Sequence, residues 1–318
     1  MITYRPYRTG DEAQIVQLYN SVFPRPQSMD HWNWAYKKNP VGRMDIILAY
    51  EGENLISHSA GIPLVLNHEG RAVQASRIQN VLVQEGFRGR GVFTETLVKL
   101  TERLNQTDVD FVLTFPNDNS LPGFKKTGLY THLFDISQFH LDSLIEPSKT
   151  SDELSFEVTD TQKFTSGDVE CLEQYLKPFP IHTVRSHQYL EWRYSAASGN
   201  RYGLMRVFRR GKQCGGVVFK IFAAERSIDL LEFFLPNDEE SIHATLAALL
   251  KEHREQRLSA FNLWSMEYYP IHPFLMCLGF TKTERVTHVV YRCFSARCST
   301  QAGSVPAYYL SMGDSDVF

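Results

Sequence analysis

The spacing of apolar residues sorts the first part of the chain into short strands and helices. Residues 2–7 read as a strand, and residues 11–23 place Ile15, Leu18 and Val22 on one face of a helix. An aromatic-rich helix over 30–36 is stopped by Asn39-Pro40. Strands follow at 46–50, 55–66 and 71–83, separated by Glu51-Gly52-Glu53-Asn54 and Asn67-His68-Glu69-Gly70, a pattern that predicts antiparallel hairpins. Leu97, Leu100 and Leu104 then recur at helical spacing. Residues 110–115 form a buried strand, residues 116–120 break it, and a short helix runs to Gly128. The predicted order is strand, helix, helix, three strands, helix, strand, helix, strand.

At the centre of this order lies Val81-Leu82-Val83-Gln84-Glu85-Gly86-Phe87-Arg88-Gly89-Arg90-Gly91-Val92-Phe93, where an apolar strand ends in a glycine-rich turn and a helix opens. Free backbone N–H groups and the helix dipole attract an anion at such a helix start, glycines permit close approach, and Arg88 and Arg90 add charge. The turn reads as a phosphate or pyrophosphate cradle, or as a basic strand-to-helix turn without a ligand. It is not a P-loop, because no Lys-Ser/Thr pair follows Gly91. Nor is it the dinucleotide fingerprint, because Gly89-Arg90-Gly91 is followed by Val92, Phe93 and Thr94.

Composition narrows the class. A chain of 318 residues with 43% hydrophobic and 22% charged content builds packed cores and suggests two domains. A net charge of -3 argues against nucleic acid as a partner. No stretch is apolar and long enough for a signal peptide or a membrane span, and the five scattered cysteines fit a reducing cytoplasm. Cys293 and Cys298 are the closest pair, and with no second pair or histidine set beside them no metal is expected.

The run 81–93 resembles the acyl-CoA loop of the GNAT N-acyltransferases, Gln/Arg-x-x-Gly-x-Gly/Ala, matched by Arg88 and Gly91, with Phe93 in place of the small last residue. A second motif of that family, Asn-x-x-Ala-x-x-x-Tyr-x-x-x-Gly-Phe, is met by Asn117, Ser120, Phe124, Gly128 and Leu129. The resemblance covers residues 1–140 and implies an α/β fold of the α+β mixed-sheet kind. It implies acyl-CoA as donor, with Val81, Leu82, Val83, Arg88, Gly89, Arg90, Gly91, Val92, Phe93, Asn117, Ser120 and Phe124 as its binding residues. The pantetheine arm would pair with backbone at 80–83, and one N–H there would face the thioester oxygen as charge builds on it. An amine would attack the thioester directly. Phe124 stands where many members place a tyrosine that protonates the thiolate, so any such acid must come from elsewhere.

The second half repeats the first. Trp34-Ala35-Tyr36 and the strand 46–50 correspond, at an offset of 158, to Trp192-Arg193-Tyr194 and 204–208. The strand 228–235 and helix 241–252 repeat the strand and helix of the cradle, but Pro236-Asn237-Asp238-Glu239-Glu240 between them has no glycine and three carboxylates. A phosphate would be repelled there. Two tandem GNAT-like domains are therefore expected, 1–145 with the acyl-CoA site and a degenerate 153–318 that binds the acceptor, joined by a polar linker at 146–152.

Asn80, Asn117, Glu85 and Tyr268 are the catalytic candidates. Glu85 reads as a general base or as a solvated loop carboxylate, and Tyr268 as the missing acid or as a packed aromatic. The asparagines read as hydrogen-bonding groups for pantetheine or for loops. Trp34, Tyr36, His58, Arg185, Trp192, Arg193, Tyr194, Glu267 and Tyr268 are acceptor-binding candidates, His58 and the aromatics reading alternatively as core. Tandem chains of this length resemble bacterial N-acyltransferases that modify nucleotide-linked amino sugars, such as dTDP-3-amino-3,6-dideoxyhexoses of surface polysaccharide. The resemblance thus implies small-molecule partners and a monomer or homodimer, with the acceptor held between the halves. The alternatives are an aminoacyl, peptide or small-amine N-acetyltransferase, and a non-catalytic acyl-CoA-binding protein.

Overall fold

The computed structural model describes residues 1–142, 153–161, 163–295, 298, 303 and 307–315, so the expected linker at 146–152 lies outside the described residues. The first half contains β1 (Ile2–Pro6), α1 (Glu12–Val22), α2 (Met29–Trp32), β2 (Asp45–Glu51), β3 (Asn54–His68), β4 (Arg71–Val83), α3 (Val92–Asn105), β5 (Phe111–Thr114), α4 (Leu121–Thr127) and β6 (Thr131–Asp142). The second contains β7 (Leu154–Asp160), α5 (Ser166–Leu176), β8 (Ile181–Thr183), α6 (His187–Arg193), β9 (Gly203–Arg209), β10 (Lys212–Phe222), β11 (Ser227–Phe234), α7 (Glu239–Glu252), β12 (Ala260–Ser265), α8 (His272–Cys277) and β13 (Thr281–Cys293). β2 and β9 are separated by the offset of 158 seen in the sequence.

The chain forms two compact units. One consists of residues 1–135, 197–199 and 288–307, the other of 136–196, 200–287 and 308–318. The first unit has strand order β1-β2-β3-β4-β5-β13. Its last partner comes from far along the chain, since Val290↔Thr114 through Cys293↔Phe111 pair antiparallel. The second unit has order β7-β9-β10-β11-β12-β6, with Ser137↔Ser265 through Asp142↔Ala260 pairing antiparallel. These units differ from the expected division into 1–145 and 153–318, because the strand after each short helix is used by the other unit. Apolar alternation marks a strand but carries no record of its neighbour.

The first unit is held by α3. Leu97, Leu100 and Leu104 are fully buried against Ile47, Ile78, Val112 and Val290. Each such side chain is worth about 1.5–3 kcal/mol of burial. The β3–β4 hairpin turns through Glu69 and Gly70 at φ 54° and 81°, the left-handed pair that a tight two-residue turn requires. α3 has no side-chain N-cap: its N-cap residue is Gly91 at φ 80°. That position leaves its first N–H groups open, and it lies directly after β4.

Candidate active site

β3 and β4 pair regularly until His58↔Leu82, and the next pair is Ala60↔Gln79. Asn80 and Val81 therefore stand opposite the single residue Ser59, a β-bulge that bends the strand. Asn80 has φ 53°, a left-handed conformation that asparagine tolerates better than other non-glycine residues. Two side chains hold the bulge. His58 Nδ1 lies 2.8 Å from the Asn80 carbonyl, which can only accept, so Nδ1 carries the proton. Asn80 Nδ2 donates to the Tyr36 hydroxyl at 3.0 Å. His58 is completely buried, and burial lowers its pKa to about 4, so the ring is neutral at pH 7. Its Nε2 has no partner among the described residues.

On its other edge β4 parts from β5. Their parallel pairing consists of Ala75↔Phe111 and Ser76↔Val112. Beyond it, Thr114 Oγ1 donates to the Ile78 carbonyl at 2.6 Å, and among the described residues no further ladder pair joins the strands. The bulge thus sits on the strand wall of an opening gap. The glycine turn follows: Gly89 and Gly91 have φ 76° and 80°, and a Cβ on either would meet nothing within 4 Å. Arg88 and Arg90 are exposed, the former reaching the Val83 carbonyl at 3.4 Å and the latter lying 5.1 Å from the Phe87 ring centre. Unpaired N–H groups, a helix dipole and two guanidinium groups converge on this turn, a suitable seat for a pyrophosphate.

Phe93, the residue that departs from the loop pattern, is accommodated by Gly123 of α4, where any Cβ would collide with the Phe93 ring. Phe124 is buried, with ring centres 6.2 Å from Phe93 and 5.2 Å from Tyr130. It is a core residue of α4, and the Tyr130 hydroxyl beside it is bonded to Thr101 Oγ1 at 2.5 Å. Asn117 is exposed, and its Oδ1 accepts from the Ser120 N–H at 3.0 Å, which closes the turn into α4. Glu85 is exposed in a single 3-10 turn, Glu85–Phe87. The first unit therefore brings together Asn80, Val81, Leu82 and Val83 with the turn 88–93.

The acceptor candidates of the second half are corrected by the structure. Arg185 is buried, with Nε 2.9 Å from Glu232 Oε1 and Nη2 2.8 Å from Asp314 Oδ2. Tyr194 donates to the same Glu232 at 2.8 Å. Arg193, also buried, donates to the carbonyls of Gly313 and Ser315 at 2.8 Å. These groups fasten the segment 311–315 inside the second unit, and their donors are not available to an acceptor. Trp192 packs beside Tyr189, Trp34 beside His31, and both indoles are buried. Tyr268 donates to the Tyr308 carbonyl at 2.8 Å, and burial pushes its phenol well above the ordinary range, which opposes its use as an acid. Glu267 is exposed. The signal for the buried cluster was in the sequence: Glu232 is a lone carboxylate in the apolar run Leu230-Leu231-Glu232-Phe233-Phe234, and a buried charge requires partners.

The second unit keeps the outline of the gap and fills it. β11 and β12 pair only from Ser227↔Ala260 to Asp229↔Asn262, and β11 carries an extra residue between its pairs Leu230 and Glu232 with β10. Tyr309 and Ser311 line the parting strands with Leu231, Phe233 and Trp264, around a cavity of about 10 Å³. Leu310 is fixed through both backbone groups to the Tyr269 hydroxyl, at 2.7 and 2.9 Å. Where the first unit has its glycine turn, Asp238 caps α7 by accepting from the Ser241 N–H at 2.7 Å. A carboxylate occupies the place of the anion.

Residues 3–131 match the family model of the acetyltransferase (GNAT) domain. No curated protein sequence matches the chain. A GCN5-related N-acetyltransferase from Anabaena variabilis superposes with a TM-score of 0.71 at 13% identity, over 93% of this chain and 73% of that one. A probable N-acyltransferase from Enterococcus faecalis gives 0.68 at 14%, over 92% and 73%. A tandem GNAT protein from the clavulanic acid biosynthesis pathway gives 0.65 at 12%, over 93% and 99%. At these identities the likeness is one of fold. No helix among the described residues is long and apolar enough to cross a membrane. Residues 3–131 thus match an acetyltransferase (GNAT) domain, and the chain has the mixed α/β fold of a tandem GNAT protein.

Proposed function

We propose that the first unit binds acyl-CoA in the gap between β4 and β5 and transfers its acyl group directly to a primary amine. The observation that carries this reading is the continuity of bulge, gap and glycine turn along one strand-to-helix connection. The pyrophosphate takes the turn at 88–93, and the pantetheine arm pairs with the edge of β4 at 80–83. A backbone N–H at the bulge faces the thioester oxygen as the neutral amine attacks, and the collapsing intermediate expels the thiolate. A preorganised donor at that oxygen contributes about 3–4 kcal/mol to such a step. His58 and Tyr36 hold the bulge and do not touch the reacting atoms. Glu85 and Asn117 are solvated or capping groups, so a thiolate that leaves unaided and proton release to water suffice.

For the acceptor we keep the nucleotide-linked amino sugar as the first class to test. Its support is the sequence resemblance alone, since Arg185, Arg193 and Tyr194 are spent inside the second unit. Release of free CoA thiol is followed with acetyl- and longer acyl-CoA against dTDP- and UDP-amino sugars, aminoacyl amines and simple amines. Release that depends on one amine class identifies the acceptor. Absence of release with every amine, together with retained CoA binding, would make the chain a binder instead of an enzyme.

A further inference from the structure

On β6 and β13, beside the loop that leads into α4, the first unit gathers two imidazoles around one carboxylate. Asp135 Oδ1 lies 2.7 Å from His132 Nε2 and 2.7 Å from His288 Nδ1. The three ligand atoms are all within 4.8 Å of one another. The other nitrogen of His288, Nε2, is 2.9 Å from Asp118 Oδ1. The residues come from three separate places: His132 and Asp135 from β6, His288 from β13, and Asp118 from the loop before α4. None of them belongs to the gap or to the glycine turn.

We propose that His132, Asp135 and His288 form a site for a divalent transition cation of the zinc class, with Asp118 as the outer carboxylate that orients His288. The donor set, two imidazoles and one carboxylate, suits zinc and its first-row neighbours, and leaves positions for water. Bonds of about 2.0–2.2 Å to a tetrahedral ion set donor atoms about 3.3–3.5 Å apart. The two 2.7 Å contacts need open by less than about 1 Å, within reach of side-chain rotation at a half-exposed site. A metal-bound imidazole ordinarily donates its far N–H to a carboxylate, and the pair His288 Nε2 and Asp118 already has this arrangement. The bound ion ties β6 to β13 directly and, through Asp118, ties in the loop 116–120 that follows β5.

Zinc chloride titrated calorimetrically into the full chain, after dialysis against chelator, is expected to bind at one equivalent. Affinity should fall about 10–100-fold in Asp118→Asn, the range for loss of an outer carboxylate. Binding should be lost in the double variant His132→Gln with His288→Gln, whose fold is checked by circular dichroism. Cobalt loading reports the donors independently: visible d–d bands that zinc abolishes, without a thiolate charge-transfer band, are expected. Zinc uptake unchanged in the double variant, no uptake by the unaltered chain, or a thiolate band from the free cysteines would each overturn the site. If the double variant does not fold, the cobalt spectrum of the unaltered chain decides.

Discussion

His58 shows how a single buried side chain sets the geometry of the gap. Its Nδ1–H holds the Asn80 carbonyl, and burial, not that bond, keeps the ring neutral. Its pKa in the fold is about 4, below the ordinary 6.5, so the unfolded chain takes up the proton first as pH falls. Its contribution is thus fully present above about pH 6.5 and is lost progressively down to about pH 4, a span worth about 3 kcal/mol. Urea unfolding of His58→Gln should show a shallower loss of stability between these limits than the unaltered chain. Equal slopes would mean that His58 is hydrated or charged in the fold. At this scale the sequence was partly legible. His58 was visible as a histidine within an apolar strand, but its bonding to a carbonyl that a bulge turns toward it was not. Arg185, Arg193 and Tyr194 read as ligand donors because charge and aromatic rings look alike whether they face a ligand or a buried carboxylate.

The elements themselves were more legible than their partners. The three leucines of α3 announced a helix and its buried face, and the glycines announced its bare N-terminus. The bulge was not readable, since it exists only in the register of β4 against β3. Its conformation nevertheless leads to a test. Asn80→Gly keeps a residue that accepts φ 53°, although it gives up the bond to Tyr36. Asn80→Val places a β-branched side chain in the left-handed region, at a cost of about 1–3 kcal/mol. We expect Asn80→Gly to retain most acyl-transfer activity and Asn80→Val to lose at least tenfold in kcat. Similar kcat values for the two variants would mean that the bulge conformation does not position the thioester.

At the scale of the molecule, duplication was legible because the same pattern recurs at a fixed offset, whereas the exchange of strands was not. β5 is four residues long and buried throughout, and it needs residues 290–293 along its far edge. A fragment of residues 1–145 leaves that edge open and removes Val290 from the core. It should unfold broadly in urea and bind a hydrophobic dye, and a sharp two-state transition would show that the distant strand is dispensable. The central claim is that one acyl-CoA binds, in the first unit, with its pyrophosphate on the turn 88–93. Calorimetric titration of CoA into the full chain tests it directly. One equivalent should bind, and Arg88→Ala with Arg90→Ala should weaken it at least tenfold, because charge-assisted contacts contribute about 1.5–3 kcal/mol each. Two equivalents, or an affinity unchanged in that double variant, would contradict the assignment.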